Sequence, residues 1–193
     1  MKVIRDLSQW QSLRKDLTPE VGFVPTMGAL HEGHLSLLRR SVVENAITVL
    51  SIYVNPTQFN DPEDLQNYPD TLQQDLAAAQ QAGVDYVLMP NYAELYADGF
   101  RYQVTETQFS EKLCGRNRPG HFTGVLTVVM KLLNIVSPQR AYFGKKDYQQ
   151  YLLVRDMAQV FFMPVDIIGC DTVREIDGLA MSSRNLNLET SAR

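Results

Sequence analysis

Several scarcities in the sequence each remove a class of function. Only two of its 193 residues are cysteine, Cys114 and Cys170. They form neither a CxxC pair nor a zinc-ligand spacing, so neither a disulfide scaffold nor a cysteine-built metal site is expected. Neither stands beside a histidine, and each is read as a small hydrophobe. No run of 18 apolar residues occurs, so no membrane span is expected. The opening Met1-Lys2-Val3-Ile4-Arg5-Asp6 lacks the long apolar stretch of a signal peptide, which points to the cytoplasm. Positive charge is not in excess: 18 Lys and Arg against 22 Asp and Glu give a net charge of -4. A nucleic-acid binder would carry a basic stripe, so nucleic acid is not the expected partner. No segment repeats and none is of low complexity. What is present, 45% apolar and 21% charged residues in a chain of 193, suits one globular domain that buries roughly 70% of its unfolded surface.

Apolar and β-branched runs at 21–24, 46–54, 85–90, 140–143 and 165–170 predict five strands. Between them, apolar residues at helical spacing predict helices over 7–17, 35–43, 71–82 and 125–136, with a further one opening near 145. Ser8 is the expected cap of the first and Gly83 the stop of the third. The alternation is that of an α/β protein with a doubly wound parallel sheet, Rossmann-like and of the nucleotide-binding kind.

The chain has three histidines, and two fall in one decapeptide, Pro25-Thr26-Met27-Gly28-Ala29-Leu30-His31-Glu32-Gly33-His34. Pro25 is expected to end the first strand and Gly28 to permit close backbone approach. His31 and His34, three apart, project from one face of the first helical turn. A helix N-terminus binds anions through its free N–H groups, and two imidazoles beside it can donate to phosphate oxygens, which suits a nucleoside triphosphate. The plain alternative makes His31 a helix cap and His34 a surface residue.

Four later segments carry matching chemistry. Asn55 and Gln58 lie beyond the carboxyl end of the second strand, where open α/β sheets bind ligands. Residues 114–124 hold Arg116, Arg118 and His121 in what reads as a loop and a second anion cradle. At Gly144-Lys145-Lys146-Asp147, another strand-to-helix junction, Lys146 can neutralise a phosphate and Asp147 can hold a ribose hydroxyl or Mg2+, with Gln150 on the same face. Met181-Ser182-Ser183-Arg184 can close over a triphosphate with two hydroxyls, backbone amides and a guanidinium.

Read together and in order, 25–34, 55–59, 118–124, 143–150 and 181–185 resemble the pantoate:beta-alanine ligases over nearly the whole chain. That family belongs to the nucleotidyltransferases marked by His-Ile-Gly-His and a late Lys-Met-Ser-Lys-Ser. Here His31-Glu32-Gly33-His34 and Met181-Ser182-Ser183-Arg184 look like the equivalents. The resemblance implies an enzyme that activates pantoate with ATP as pantoyl adenylate and passes it to beta-alanine, releasing pyrophosphate and AMP. It implies ATP contacts at Met27, Gly28, Ala29, Leu30, His31, Glu32, Gly33 and His34, at Gly144, Lys145, Lys146 and Asp147, at Val173, and at Met181, Ser182, Ser183 and Arg184. His34 is implied as proton donor. Gln58 and Gln150 are implied to hold pantoate, Gln58 also lying near beta-alanine. Rate would come from His34, Lys146, Ser182, Ser183 and Arg184 with Mg2+. ATP is then a substrate with Mg2+, without a tightly bound cofactor or a resident metal, and the partners are small molecules, with a homodimer expected and neither nucleic acid nor membrane. Two points depart from the family. Lys145 stands where Glu is common, and residues 186–193 read as only the start of a C-terminal lid after a Rossmann-like domain over 1–185. Some relatives are fused to a cytidylate kinase, which the resemblance leaves open. Another nucleotidyltransferase, or a nucleotide-binding module without catalysis, are the rival readings.

Overall fold

A computed structural model describes residues 1–17 and 20–188. Its six strands are β1 (Lys2–Ile4), β2 (Val21–Thr26), β3 (Ile47–Ile52), β4 (Tyr86–Leu88), β5 (Arg140–Gly144) and β6 (Asp166–Cys170). They form one sheet in the order β1-β4-β3-β2-β5-β6 with every pairing parallel. The helices are α1 (Leu7–Arg14), α2 (Glu32–Glu44), α3 (Pro62–Gln66), α4 (Leu72–Gln81), α5 (Tyr92–Leu95), α6 (His121–Val136) and α7 (Tyr148–Val160). The expected α/β class and doubly wound parallel sheet are both found.

Successive strand residues point to opposite faces, and the apolar runs therefore feed two cores. Phe23, Val49, Leu88, Ala141 and Phe143 join Trp10 of α1, Leu126 and Leu133 of α6 and Leu153 of α7. Val24, Leu50, Val87 and Tyr142 join Leu37 and Leu38 of α2 and Ala79 of α4. Phe23, Val24, Val49 and Leu50 are wholly buried, and each such side chain stabilises the fold by roughly 1.5–3 kcal/mol. Trp10 is also wholly buried and donates its indole N–H to the Ile135 carbonyl at 2.8 Å, fastening α1 to the end of α6.

The differences from expectation have local causes. β1 is a sixth strand, too short for a period to show, and pairs Val3 with Val87 at the sheet edge. Asp6, not Ser8, caps α1: its carboxylate accepts from the Ser8 and Gln9 N–H groups at 2.7 and 3.3 Å. α1 stops at Arg14, short of the expected 17, and of the linker 18–20 that was to follow, residues 18 and 19 lie outside the described residues.

β2 does not end at Pro25 but runs through it to Thr26. In a parallel strand alternate residues face alternate neighbours. Thr26 faces β3, accepting from the Tyr53 N–H at 3.1 Å, so Pro25 turns its missing N–H toward β5, whose pairing with β2 is confined to Gly22 and Phe23. α6 begins at His121, so that residue is helical and not part of a loop. Cys170 is buried as a small hydrophobe, but Cys114 is exposed in a turn. A 3-10 turn spans Ser183–Asn187, and the expected new helix near 191–193 lies outside the described residues.

The sheet order reverses at β2, which has β3 on one side and β5 on the other. In such sheets the ligand crevice opens at the carboxyl ends of the strands flanking that reversal. The segments that follow β2 and β5 are the two carrying the charged and histidine-rich motifs.

Candidate functional site

A cleft of about 210 Å³ opens there. Most of the residues singled out from sequence line it: Met27, His31, Gly33, His34, Gln58, Gly144, Lys146, Asp147, Gln150, Val173, Met181, Ser182, Ser183 and Arg184. Asn55 lines it as well.

At the end of β2 the start of α2 is closed by its own histidines. His31 is the N-cap in extended conformation, and its Nδ1 accepts from the Gly33 N–H at 3.1 Å. His34 Nδ1 accepts from the His31 N–H at 3.3 Å, and the rings lie 4.0 Å apart. A nitrogen that accepts from a backbone N–H carries no proton, so both rings are held in the Nε2–H form and keep that donor for the cleft. Electrostatics agree with the geometry. Surrounding protein, then the neighbouring His31 and Lys146, pushes the His34 pKa down to about 3. Burial first and Lys146 second lower that of His31. Gly33 is needed between them: a Cβ there would sit 2.9 Å from the His31 ring. The cap reading of His31 is therefore right, but both rings line the cleft and His34 is no surface residue.

Beyond Gly28 the structure departs from expectation. Gly28, Ala29, Leu30 and Glu32 do not line the cleft. The N–H groups of Ala29 and Leu30 donate to the buried carboxylate of Asp75 on α4, at 2.9 and 2.7 Å, and Thr71 Oγ1 adds a third bond at 3.2 Å. Gly28 approaches that same carboxylate, 3.0 Å from where its Cβ would be, so its close approach serves Asp75. Glu32 pairs with Arg39 on the outer side of α2. Asp75 was missed from sequence, although an acid at helical spacing with Leu72, Leu76 and Ala79 was its signal.

The junction after β5 is open. Lys145–Asp147 form a 3-10 turn and α7 starts at Tyr148, and no side chain caps either element. Lys146 and Asp147 lie together at 3.3 Å on the cleft wall, with Gln150 beside them. Lys145 turns away and binds Asp171 at 2.8 Å. It does not line the cleft itself, but its partner Asp171 does, so the Lys in place of Glu reaches the cleft only through that pairing. Backbone amides at an uncapped helix start and a lysine that opposes the helix dipole are groups that can bind an anion.

A hairpin supplies the cover. Met181 N–H donates to the Val173 carbonyl at 3.0 Å, so both residues sit at its mouth. Ser182 Oγ accepts from the Arg184 N–H at 3.3 Å. Ser183 is buried, and its hydroxyl donates to the Ala29 carbonyl at 3.0 Å, so this hydroxyl ties the cover to the first loop. Arg184 pairs with Asp64 at 2.8 Å and lies over the Tyr68 ring. Asp64 and Tyr68 were not anticipated, because α3 and the segment after it have no strong period.

The expected second anion cradle is not at the cleft. Arg116 is exposed, and neither Arg118 nor His121 lines it. His121 is buried, with Nδ1 2.8 Å from the Gln58 carbonyl and Nε2 3.1 Å from Arg118. The helix that follows gives the cleft an apolar floor of Val125, Val128, Val129 and Leu132, residues legible from sequence only as core. Among the described residues no cluster of three or more His, Cys, Asp or Glu forms a metal cage, and no helix is long and apolar enough to cross a membrane.

The sequence model of the family described as pantoate-beta-alanine ligase matches residues 1–193. A pantothenate synthetase of Legionella pneumophila is 52% identical, covering 100% of this chain and 77% of its own. One of Coxiella burnetii is 57% identical over 97% of this chain and 73% of its own. The crystal structure of a pantoate-beta-alanine ligase from Francisella tularensis, complexed with beta-gamma ATP and beta-alanine, superposes with a TM-score of 0.96 at 44% identity, covering 99% of this chain and 74% of that one.

Proposed function

The chain belongs to the pantoate-beta-alanine ligase family, and from that premise we propose how its cleft divides the ligase's work. The enzyme condenses pantoate with beta-alanine at the expense of ATP. A pantoate carboxylate oxygen attacks the α-phosphorus, the α–β phosphoanhydride bond breaks, and pyrophosphate leaves. The amine of beta-alanine, having lost its ammonium proton, then attacks the acyl carbon, and the carbon–oxygen bond to AMP breaks.

The observation that carries this reading is one cleft lined at once by hydrogen-bond donors and cations, by two carboxamides and by apolar side chains of α6. The Nε2–H groups of His31 and His34, the amides and Lys146 after β5, and Arg184 suit the phosphates, where negative charge gathers in the first step. Each aimed donor contributes on the order of 3 kcal/mol to such a transition state. His34 acts with its ring neutral, giving a hydrogen bond and not a proton. Ser182 adds its hydroxyl, and Ser183 acts by holding the cover to Ala29. Gln58 and Gln150 suit the carboxylate and hydroxyls of pantoate, and Val125, Val128 and Val129 suit its dimethyl carbon. ATP would bind as its Mg2+ complex, for which Asp147 offers a carboxylate beside the phosphates; the ion would supply charge neutralisation. Residues 1–185 act as the ATP- and pantoate-binding domain, with the protein a homodimer in the cytoplasm, as the family resemblance implies.

The test is ATP–pyrophosphate exchange. Exchange that needs pantoate but not beta-alanine supports the reading; exchange driven by a phosphorylated acceptor would move the chain to another nucleotidyltransferase reaction, and ATP binding without exchange would make it a binding module.

A further inference from the structure

We infer that His121 is a positioning residue for the pantoate-binding carboxamide of Gln58, an inference that rests on the reading of Gln58 above. The side chain lies outside the cleft, yet one ring nitrogen is committed to the turn that carries Gln58 and the other to Arg118. A backbone carbonyl only accepts, so His121 Nδ1–H donates to the Gln58 carbonyl at 2.8 Å. A guanidinium only donates, so Arg118 gives its N–H to His121 Nε2 at 3.1 Å. The ring is therefore neutral and in the Nδ1–H form, opposite to His31 and His34. Burial, the larger cause, and Arg118 lower its pKa, while the bond to Gln58 opposes them.

The rest of the turn leaves Gln58 one role. Asn55, 1% exposed, donates from Nδ2 to Gln58 Oε1 at 3.0 Å and to the Gly124 carbonyl at 3.3 Å. Its Oδ1 is fixed by Thr57 Oγ1 at 3.0 Å and Tyr96 Oη at 2.9 Å. With Oε1 taken, Gln58 offers the cleft its Nε2 hydrogens, whose nearest protein partner is the weakly accepting Met27 sulfur at 3.2 Å. Those donors match a carboxylate or hydroxyl oxygen. The first turn of α6 presses on the same segment: a Cβ on Gly124 would lie 2.3 Å from the Thr57 carbonyl oxygen. His121 thus sets where the Gln58 backbone sits, and Asn55 sets which face of its amide meets substrate.

The test compares two substitutions of like polarity in the 193-residue protein. His121→Asn keeps an N–H donor at the Nδ1 position, whereas His121→Gln moves it one bond further out. His121→Gln is expected to raise the pantoate KM about tenfold with kcat and the ATP KM within about twofold, and His121→Asn to stay within about threefold of the parent. In a Gln58→Ala background, His121→Gln should raise the pantoate KM no further, because its route of action is gone. Equal effects of Asn and Gln, or a rise in the ATP KM to match that of pantoate, would overturn the inference. So would multiplicative effects in the double variant when Gln58→Ala alone raises the pantoate KM. A pantoate KM unmoved by Gln58→Ala would instead overturn the reading of Gln58, and this inference with it. Should His121→Gln fail to fold, Arg118→Met, which frees Nε2 alone, must raise the pantoate KM selectively or the inference fails.

Discussion

The turns after β2 and β5 occupy equivalent places in the sheet, and they are built in opposite ways. After β2 the backbone donors are spent internally: Ala29 and Leu30 on Asp75, Gly33 and His31 on imidazole nitrogens. What faces the cleft is side chain, two Nε2–H groups on rings that cannot turn without breaking the helix cap. After β5 no side chain caps the helix start, and the side chains of Lys146 and Asp147 are 35% and 61% exposed. One turn is closed by its own side chains and the other is left uncapped. A histidine-bearing helix start is thus no guarantee of backbone anion binding, because the same amides can already be satisfied from within.

The sharpest way to break this contrast is His34→Ala, which removes a fixed donor and half of the reciprocal cap. Initial rates should show turnover lower by about a hundredfold or more, while thermal unfolding reports a loss of only about 1 kcal/mol for the cap. Wild-type turnover would remove the preorganised turn from the mechanism.

Asp75→Asn attacks the same turn from behind. It swaps one carboxylate oxygen for an NH2 that faces the Ala29 or Leu30 N–H, and urea unfolding should show a loss on the order of 2–3 kcal/mol. The ATP KM should rise as the histidines lose their footing. An unchanged unfolding midpoint would mean that the carboxylate does not hold the loop.

Acid should act on the first turn before the second. His34, at about 3, and His31 and His121, both lowered, are neutral in the folded chain, whereas the unfolded chain binds their protons below about 6.5. The unfolded state therefore takes up more protons as pH falls below that value, and stability declines through the window from 6.5 toward 3. Thermal midpoints should drop between pH 7 and pH 5, and His34→Asn should flatten the decline; a midpoint indifferent to pH over that range would contradict the neutral rings.

The smallest effect belongs to the open turn's outer side. Lys145→Glu exchanges an exposed pairing with Asp171 for repulsion, at a residue that does not itself line the cleft although Asp171 does. Rates within about twofold are expected, since exposed pairs are worth roughly 0–1 kcal/mol. A large loss would put Lys145 back among the ATP contacts.

How much of this was legible follows from the range of the signals. A near-continuous apolar, β-branched run along 21–24 and 46–54 needs only neighbours in sequence, so the central strands and the doubly wound class could be read directly. β1 could not, because three residues carry no period and its place beside β4 is settled by contacts 84 positions away in register, Val3 with Val87. The residue types of the site were legible in the same way, since His31, His34, Lys146 and Ser182 sit in short motifs. Their hydrogen-bond states were not. Whether Ala29 offers its N–H to a phosphate depends on Asp75, 46 residues later, and whether His121 faces ligand or backbone depends on Gln58, 63 residues earlier. Local pattern names the groups; only the fold says which are already taken.

With three histidines in the chain, the ring tautomers test this account most directly. In the 15N-histidine-labelled protein at pH 7, NMR should find His31 and His34 neutral with the proton on Nε2, and His121 neutral with the proton on Nδ1. Adding ATP should move the Nε2 signals of the first two and leave His121 in place. A protonated His34, an Nδ1–H tautomer at His31 or His34, or an ATP response confined to His121 would contradict the claim that the turn after β2 reaches phosphate through fixed imidazole donors.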